Sequence, residues 1–204
     1  MIIAMIEINF LFALISFYFV MYVTPGPNNA MVLVSGLKFG FSKTIVVILG
    51  ITIGHIVQLV LVCLGLGRVF QMVPEIQIIL KTFCSAYMVY LSYKIIGSFS
   101  TIEARDKKPI KFHEAALFQL INPKAWTISS MAASGFLLNE RDIITSIVIL
   151  VFVALIVCPI SIFPWAVFGS AVKVVIKNVK IKTLIEYLLA SLLFISAVLI
   201  VIDY

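Results

Sequence analysis

Apolar residues run along this chain in six long blocks, at about 8 to 34, 44 to 66, 75 to 97, 114 to 138, 143 to 169 and 184 to 203. Each is near or above the ~20 residues that carry a helix across a bilayer, and the first and fifth are the longest. One long polar stretch, residues 98–112 (SFSTIEARDKKPIKF), divides the blocks into two groups of three. The pattern predicts an all-α integral membrane protein of six transmembrane helices in a single transporter domain. It would have one half at 1–97, a linker at 98–112 and a second half at 113–204. A duplicated unit with an odd number of spans must insert its second copy upside down, so two inverted repeats of three are expected. Residues 1–7 carry no Lys or Arg and the apolar run after them exceeds a signal-peptide core, so the first span is expected to be retained.

Two polar interruptions break this pattern inside spans. Thr24-Pro25-Gly26-Pro27-Asn28-Asn29 lies within the first block and Asn122-Pro123-Lys124-Ala125-Trp126 within the fourth. Proline removes an amide donor and crowds the turn before it, and glycine opens backbone angles closed to other residues, so helices 1 and 4 should be broken there. Irregular backbone survives at membrane depth only where it is buried in protein or lines a polar cavity. Paired breaks in corresponding halves are therefore the best pointer to a substrate site. Pro25 and Pro123 lie about one half-length apart, as first members of each triplet should. By these span limits both breaks sit about ten residues from the same face, whereas strict inversion places them at mirrored depths.

Composition supports the membrane reading and narrows the chemistry. Of 204 residues 63% are apolar and 12% charged, with a mean hydropathy of +1.19, beyond what a water-soluble core of this size requires. The net charge of +6 follows the alternation of loops. Loops on one face hold eleven cations, Lys38, Lys43, Lys94, Arg105, Lys107, Lys108, Lys111, Lys173, Lys177, Lys180 and Lys182, against Arg68 and Arg141 on the other. The basic face is expected in the cytoplasm, with both termini outside. The basic loops carry almost no interleaved aromatics, so nucleic-acid binding is not needed to explain the charge. Cys63, Cys84 and Cys158 stand alone in different spans, which disfavours a thiol carrier and gives no metal site. No hydrolase, metal or nucleotide motif occurs, so neither an enzyme nor an ATP-driven pump is expected, and no cofactor.

The polar residues at span depth are the candidates for substrate contact. Pro25, Gly26 and Pro27 split the first helix and leave a half-helix start, whose free amides and positive dipole end suit a carboxylate. Asn28 and Asn29 add amide groups that donate to a carboxylate or accept from an ammonium. Lys124 beside Pro123 is the sharpest residue, since a cation at span depth costs ~2.5–3.5 kcal/mol on the lenient scale. Either a substrate carboxylate compensates it or its stem snorkels to the interface. Gln119 and Asn122 lie one turn apart on the same helix, and Trp126 either walls the site or anchors an interface. In the second span His55 and Gln58 share a helix face. An unperturbed histidine titrates near ~6.5, so His55 is a candidate proton-coupling residue, the alternative being a neutral histidine bonded to a backbone carbonyl. Gly50-x-x-x-Gly54 is a close-packing motif that could also support a homodimer. Pro159 and Pro164 should bend or break the fifth span.

With these residues in hand, the chain resembles the LysE/RhtB family of amino-acid exporters over nearly all its length. The resemblance rests on Thr24-Pro25-Gly26-Pro27-Asn28 followed by Gly36 and Gly40, on Gly50-x-x-x-Gly54, on Ala86-Tyr87 and Tyr90-Leu91, and on Gln119-Leu120-x-Asn122-Pro123-Lys124-Ala125-Trp126. Lys108-Pro109-Ile110-x-Phe112 before that last run is most similar to the cysteine/O-acetylserine efflux group. The resemblance implies a bacterial inner-membrane secondary transporter that moves small amino acids or their derivatives outward by proton antiport. Two positions depart from the family pattern: His55 stands near an acidic residue of many members, and Ser85 stands where a glycine precedes Ala-Tyr. The rival reading from another class is a non-transporting membrane scaffold that uses the Gly50/Gly54 face for contact.

Overall fold

The computed structural model describes residues 2–66, 72, 74–97, 108–137, 143–175 and 179–202, and every regular element among them is helical. Helix α1 is Ile2–Val23, α2 Pro27–Phe39, α3 Phe41–Leu61, α4 Pro74–Ile95, α5 Phe112–Phe118, α6 Pro123–Phe136, α7 Ile143–Val175 and α8 Val179–Ile202. A π-helical turn, Val62–Leu66, extends α3, and a 3-10 turn, Gln119–Ile121, follows α5. Arg68, Arg105, Lys107, Arg141, Lys177 and residues 98–107 of the linker lie outside the described residues.

The two expected breaks are present. Ile8–Val23 and Pro27–Phe39 meet at a bend of 57°. The fourth block divides into α5, the 3-10 turn and α6, with Asn122 extended (φ −88, ψ 102) ahead of Pro123. Proline heads both second halves at a position where its missing amide costs nothing. The first block extends beyond its expected limit, because α2 runs to Phe39 and only Gly40 separates it from α3. Gly40 has φ +82, the left-handed region that favours glycine, so the chain reverses there without a loop. By length and composition Phe41–Gly65 and Ile143–Val172 can each cross a membrane, and the bent α1/α2 pair gives a third span if it counts as one.

Pro159 and Pro164 do not break α7, which runs unbroken through both. Tertiary packing overrides the local preference here: α1, α2 and α3 all pack along α7. The closest crossing is with α2, where a Cβ added at Gly36 would lie 2.7 Å from the Ala166 carbonyl and one at Gly169 would collide with the Leu33 carbonyl. Helix α4 pairs with α8, and α3 with α5. At the α4–α8 seam the Ser85 hydroxyl donates to the Ala197 carbonyl, and Glu186 accepts the Gly97 amide at 3.0 Å. The family departure at Ser85 thus has a bonding partner that glycine would lack.

Gly50 and Gly54 face inward. A Cβ at either would run into a carbonyl of α5, that of Phe112 or Ala116. The G-x-x-x-G face is therefore filled from within the chain, which removes it as the basis for a homodimer or for a scaffold contact. Gly50→Ala should cost about 1–3 kcal/mol by overpacking and lower the melting midpoint in detergent by several degrees. Gly135→Ala, in open space on α6, is the matched control and should leave the midpoint unchanged or raise it. Equal midpoints would mean that α3 and α5 are not in close contact.

Large apolar side chains face outward while polar ones are held inside beside an apolar core. Phe12, Phe83, Ile144 and Phe152 are exposed, while Asn29, His55, Gln58, Gln119 and Asn122 are each at most 3% exposed. An apolar exterior with polar side chains kept inside is the arrangement a lipid environment selects.

Candidate functional site

The breaks leave carbonyls at the end of α1 with no amide of their own helix to meet, and each has been given another partner. The Thr24 amide reaches Val20 O at 3.2 Å and its hydroxyl reaches Met21 O at 3.0 Å. The Asn29 side-chain amide shares its hydrogens among Tyr22 O, Val23 O and Thr24 O at 3.0, 3.1 and 3.0 Å. Trp165 of α7 donates its indole N–H to Val23 O at 3.2 Å. Asn29 thus closes the end of α1 while standing in the first turn of α2, so one side chain holds both lips of the break.

Lys124 completes this set. Its Nζ lies 2.6 Å from Thr24 O, 2.8 Å from Thr24 Oγ1 and 3.2 Å from Pro25 O, one acceptor for each ammonium hydrogen. The cation neither snorkels nor stands free for a carboxylate in this conformation. Instead it caps the negative end of the α1 dipole, which offsets part of its desolvation. Its stem lies against Gly26, where a Cβ would come within 2.8 Å of Lys124 Cδ. Gly26 is extended (φ −177, ψ −176), so it is the lysine stem and not the backbone angle that calls for glycine.

A second network joins the breaks through amides. Asn28 Nδ2 donates to Gln119 Oε1 and Gln119 Nε2 to Asn28 Oδ1, both at 3.0 Å, while Asn122 Nδ2 also donates to Asn28 Oδ1 at 3.0 Å. Gln58 of α3 donates to Gln119 O at 3.0 Å. The orientation of each amide follows from the next. Gln119 Nε2 also reaches Ala115 O at 3.1 Å, and a carbonyl can only accept. That fixes Gln119, which fixes Asn28, which leaves Asn122 Oδ1 as the end without a partner.

These residues line a small pocket, Tyr22, Asn28, Asn29, His55, Asn122 and Lys124 on its polar side and Met21, Ala125, Ile128 and Ile162 on its apolar side. It has room for about one water molecule. His55 is 1% exposed, with Nε2 unpartnered and its ring edge-on to Tyr22 at 5.3 Å. Other buried polar atoms without a partner are Gln58 Oε1 on α3, the Tyr18 and Tyr22 hydroxyls on α1, Ser129 Oγ on α6 and Ser161 Oγ on α7. By helix geometry the Asn28 and Asn29 amides of α2 lack helical acceptors, whereas on α6 the Ala125 amide turns back to Asn122 O at 3.1 Å and leaves that of Lys124 without one; both positive ends sit at this pocket.

The breaks thus bring together Pro25, Gly26, Pro27, Asn28, Asn29, Gln119, Asn122, Pro123 and Lys124, with His55 and Gln58 from α3. Trp126 is set apart: its indole donates to Leu120 O at 2.9 Å and braces the second break rather than walling the cavity. Sequence reasoning missed Tyr22, Thr24 as a lysine acceptor, and Trp165. Cys63 and Cys158 are free and buried, and neither lines the cavity. No group of side chains fit to hold a metal occurs among the described residues.

The fold and site define a membrane protein, helical throughout its described residues, with a small pocket lined by Asn28, Asn29, Asn122 and Lys124 between two broken helices. Residues 19–204 match the LysE type translocator family, and the chain belongs to that family. Among curated relatives, the cysteine/O-acetylserine efflux proteins of Escherichia coli K12 and Shigella sonnei are each 28% identical over 127 residues, 62% of this chain and 65% of theirs. The chain therefore matches just under two thirds of the length of these relatives. No solved structure matches it.

Proposed function

We propose that this chain is a secondary transporter that exports small amino acids or close derivatives across a bacterial inner membrane. Cysteine, O-acetylserine and other neutral amino acids are the substrate class. One observation carries the reading: two proline-headed half-helix starts, α2 and α6, converge on a small pocket lined by Asn28, Asn29, Asn122 and Lys124, where Asn122 Oδ1 has no donor. An amino acid supplies what each end lacks. Its carboxylate accepts from the first-turn amides at Asn28 and Asn29, with Lys124 reinforcing it when the site opens. Its ammonium donates to Asn122 Oδ1, and Gln119 and Gln58 address the remainder.

Six spans, two inverted repeats and two periplasmic termini complete the proposal. The packing supports an inverted arrangement, since α1 lies on α7 as α5 lies on α3, and α4 pairs with its counterpart α8. Alternating access would proceed by opening the Asn28–Gln119–Asn122 network toward one face at a time. Proton antiport is the proposed drive, with His55 the coupling candidate because its ring lies buried at the cavity with Nε2 unpartnered.

The test is efflux of labelled cysteine, O-acetylserine, threonine, leucine and lysine from preloaded proteoliposomes, with and without an imposed proton gradient. Gradient-dependent efflux of a small neutral amino acid is expected. Efflux insensitive to the gradient would remove proton coupling, and no efflux of any would overturn the export reading.

A further inference from the structure

Four buried hydroxyls have no bonding partner in the protein. Tyr18 and Tyr22 of α1, Ser129 of α6 and Ser161 of α7 are each at most 4% exposed, and the oxygen of each is unpartnered. Phenylalanine or alanine would fill the same places without the cost of burying an unbonded polar group.

The four follow a line that starts at the central pocket. Tyr22 borders the pocket together with Ile128 and Ile162, the chain neighbours of Ser129 and Ser161, and its ring meets His55 edge-on. Tyr18 lies one turn nearer the start of α1, its ring stacked 4° from parallel on that of Tyr22 with centroids 5.4 Å apart. Phe17 adjoins Tyr18, and beyond them Phe10 and Phe17 close on Phe136 at the end of α6, at 5.8 and 5.5 Å. Ser129 is seven positions before Phe136 and so on the same face of α6. Small residues fill the space around this line: Ala132, Ala154 and Cys158 share one buried cluster with both tyrosines, and Phe10, Phe17 and Phe136 pack against it. The end of the bundle where α1 begins and α6 ends is the one assigned to the outside by the charge of the loops.

We propose that this line of hydroxyls is the outer half of the transport path, packed shut in this conformation, and that Phe10, Phe17 and Phe136 form its outer gate. The proposal rests on the export reading above. A small amino acid leaving the central pocket carries donors and acceptors of its own, so each hydroxyl gains from the passenger the bond that the protein does not supply. The phenylalanine rings beyond offer no such bond, and they bar the outer end until the helices part.

Tyr18→Phe and Ser161→Ala separate passage from structure. Removing an oxygen that no protein group bonds should leave the melting midpoint in detergent unchanged or raise it, whereas loss of a structural hydroxyl lowers it. Efflux should fall nonetheless, by about tenfold for each hydroxyl, the loss of one hydrogen bond to the passenger. Parent-like efflux in both variants would overturn the path and leave the hydroxyls as sites for fixed water. A midpoint that falls together with efflux would overturn it in favour of a structural role.

The gate has a readout that needs no turnover. In intact cells an impermeant methanethiosulfonate applied outside should react with Ser129→Cys at least about tenfold faster once Phe136→Ala is added, and external O-acetylserine should slow it. Phe136→Ala alone reports the native cysteines. Unchanged reactivity at Ser129→Cys would overturn the gate. The same gain in a protein whose parent exports nothing would instead sink the reading on which the proposal rests.

Discussion

Replacing Lys124 by methionine stops export and leaves the protein folded. The ammonium spends all three hydrogens on Thr24 and Pro25, so it fastens α6 to the open end of α1 across the two breaks. Charge-assisted hydrogen bonds contribute about 1.5–3 kcal/mol each, while the charge itself costs about 2.5–3.5 kcal/mol at span depth. Methionine keeps the length of the stem and removes both terms, and the charge cost offsets only part of the three bonds. The melting midpoint in detergent should therefore fall by several degrees or more while the protein still folds. Transport has no such compensation, because the lost bonds are those that set the two half-helix starts against each other. Two of them amount to about 3 kcal/mol or more, a fall of at least roughly a hundredfold in flux. Lys124→Arg should restore little, since a planar fork cannot converge three donors on acceptors placed for an ammonium. Parent-like efflux in Lys124→Met would show that the bridge is not part of the transport cycle.

Asn28→Asp should abolish export by a different route. The substitution keeps shape and volume but turns the donor facing Gln119 Oε1 into an acceptor, so one bond of the reciprocal pair is lost and two oxygens oppose each other. The new charge costs about 2.5–3.5 kcal/mol at span depth and gains only about 0.3–1 kcal/mol from the helix dipole, so Asn28→Asp should also lower the melting midpoint in detergent. A substrate carboxylate arriving at the same helix start meets a fixed negative charge. At about 4 Å and an effective dielectric of 20 that repulsion is about 4 kcal/mol, enough to weaken binding on the order of a thousandfold. The measurement is substrate binding by the purified protein in detergent, alongside efflux. Retained binding in Asn28→Asp would move the carboxylate site away from α2.

The breaks themselves were legible in the sequence because proline and glycine act locally. Pro25 and Pro123 end helices wherever the surrounding chain does not prevent it, and Asn28, Asn29, Gln119 and Asn122 are too polar for a lipid face. The partners of Lys124 were not legible. Local spacing offered a carboxylate or the interface, whereas the acceptors are carbonyls about one hundred positions earlier, exposed only because α1 stops where it does. Trp165 was hidden for a related reason: nothing in Pro164-Trp165 announces that its indole reaches Val23 O on another helix. The prolines of α7 show the reverse: a break occurs in α1 but not in a helix flanked by three others, because a local signal decides only where packing is neutral. Gly50-x-x-x-Gly54 reported a close approach correctly but could not name the partner, since a stripe of small residues looks the same to α5 as to a second chain.

The crossing of α2 and α7 bears on which parts of the molecule can move. At Gly36 and Gly169 the two main chains come within contact of each other, and the Ser170 hydroxyl bridges to Gly36 O at 3.4 Å. Few side chains stand between the helices there to absorb a sliding motion by changing rotamer. The two helices are therefore expected to travel together. If the central pocket opens in the proposed export cycle, the interruptions at Thr24 to Gly26 and at Asn122 are where the helices can turn, with the Lys124 bridge as the latch between them.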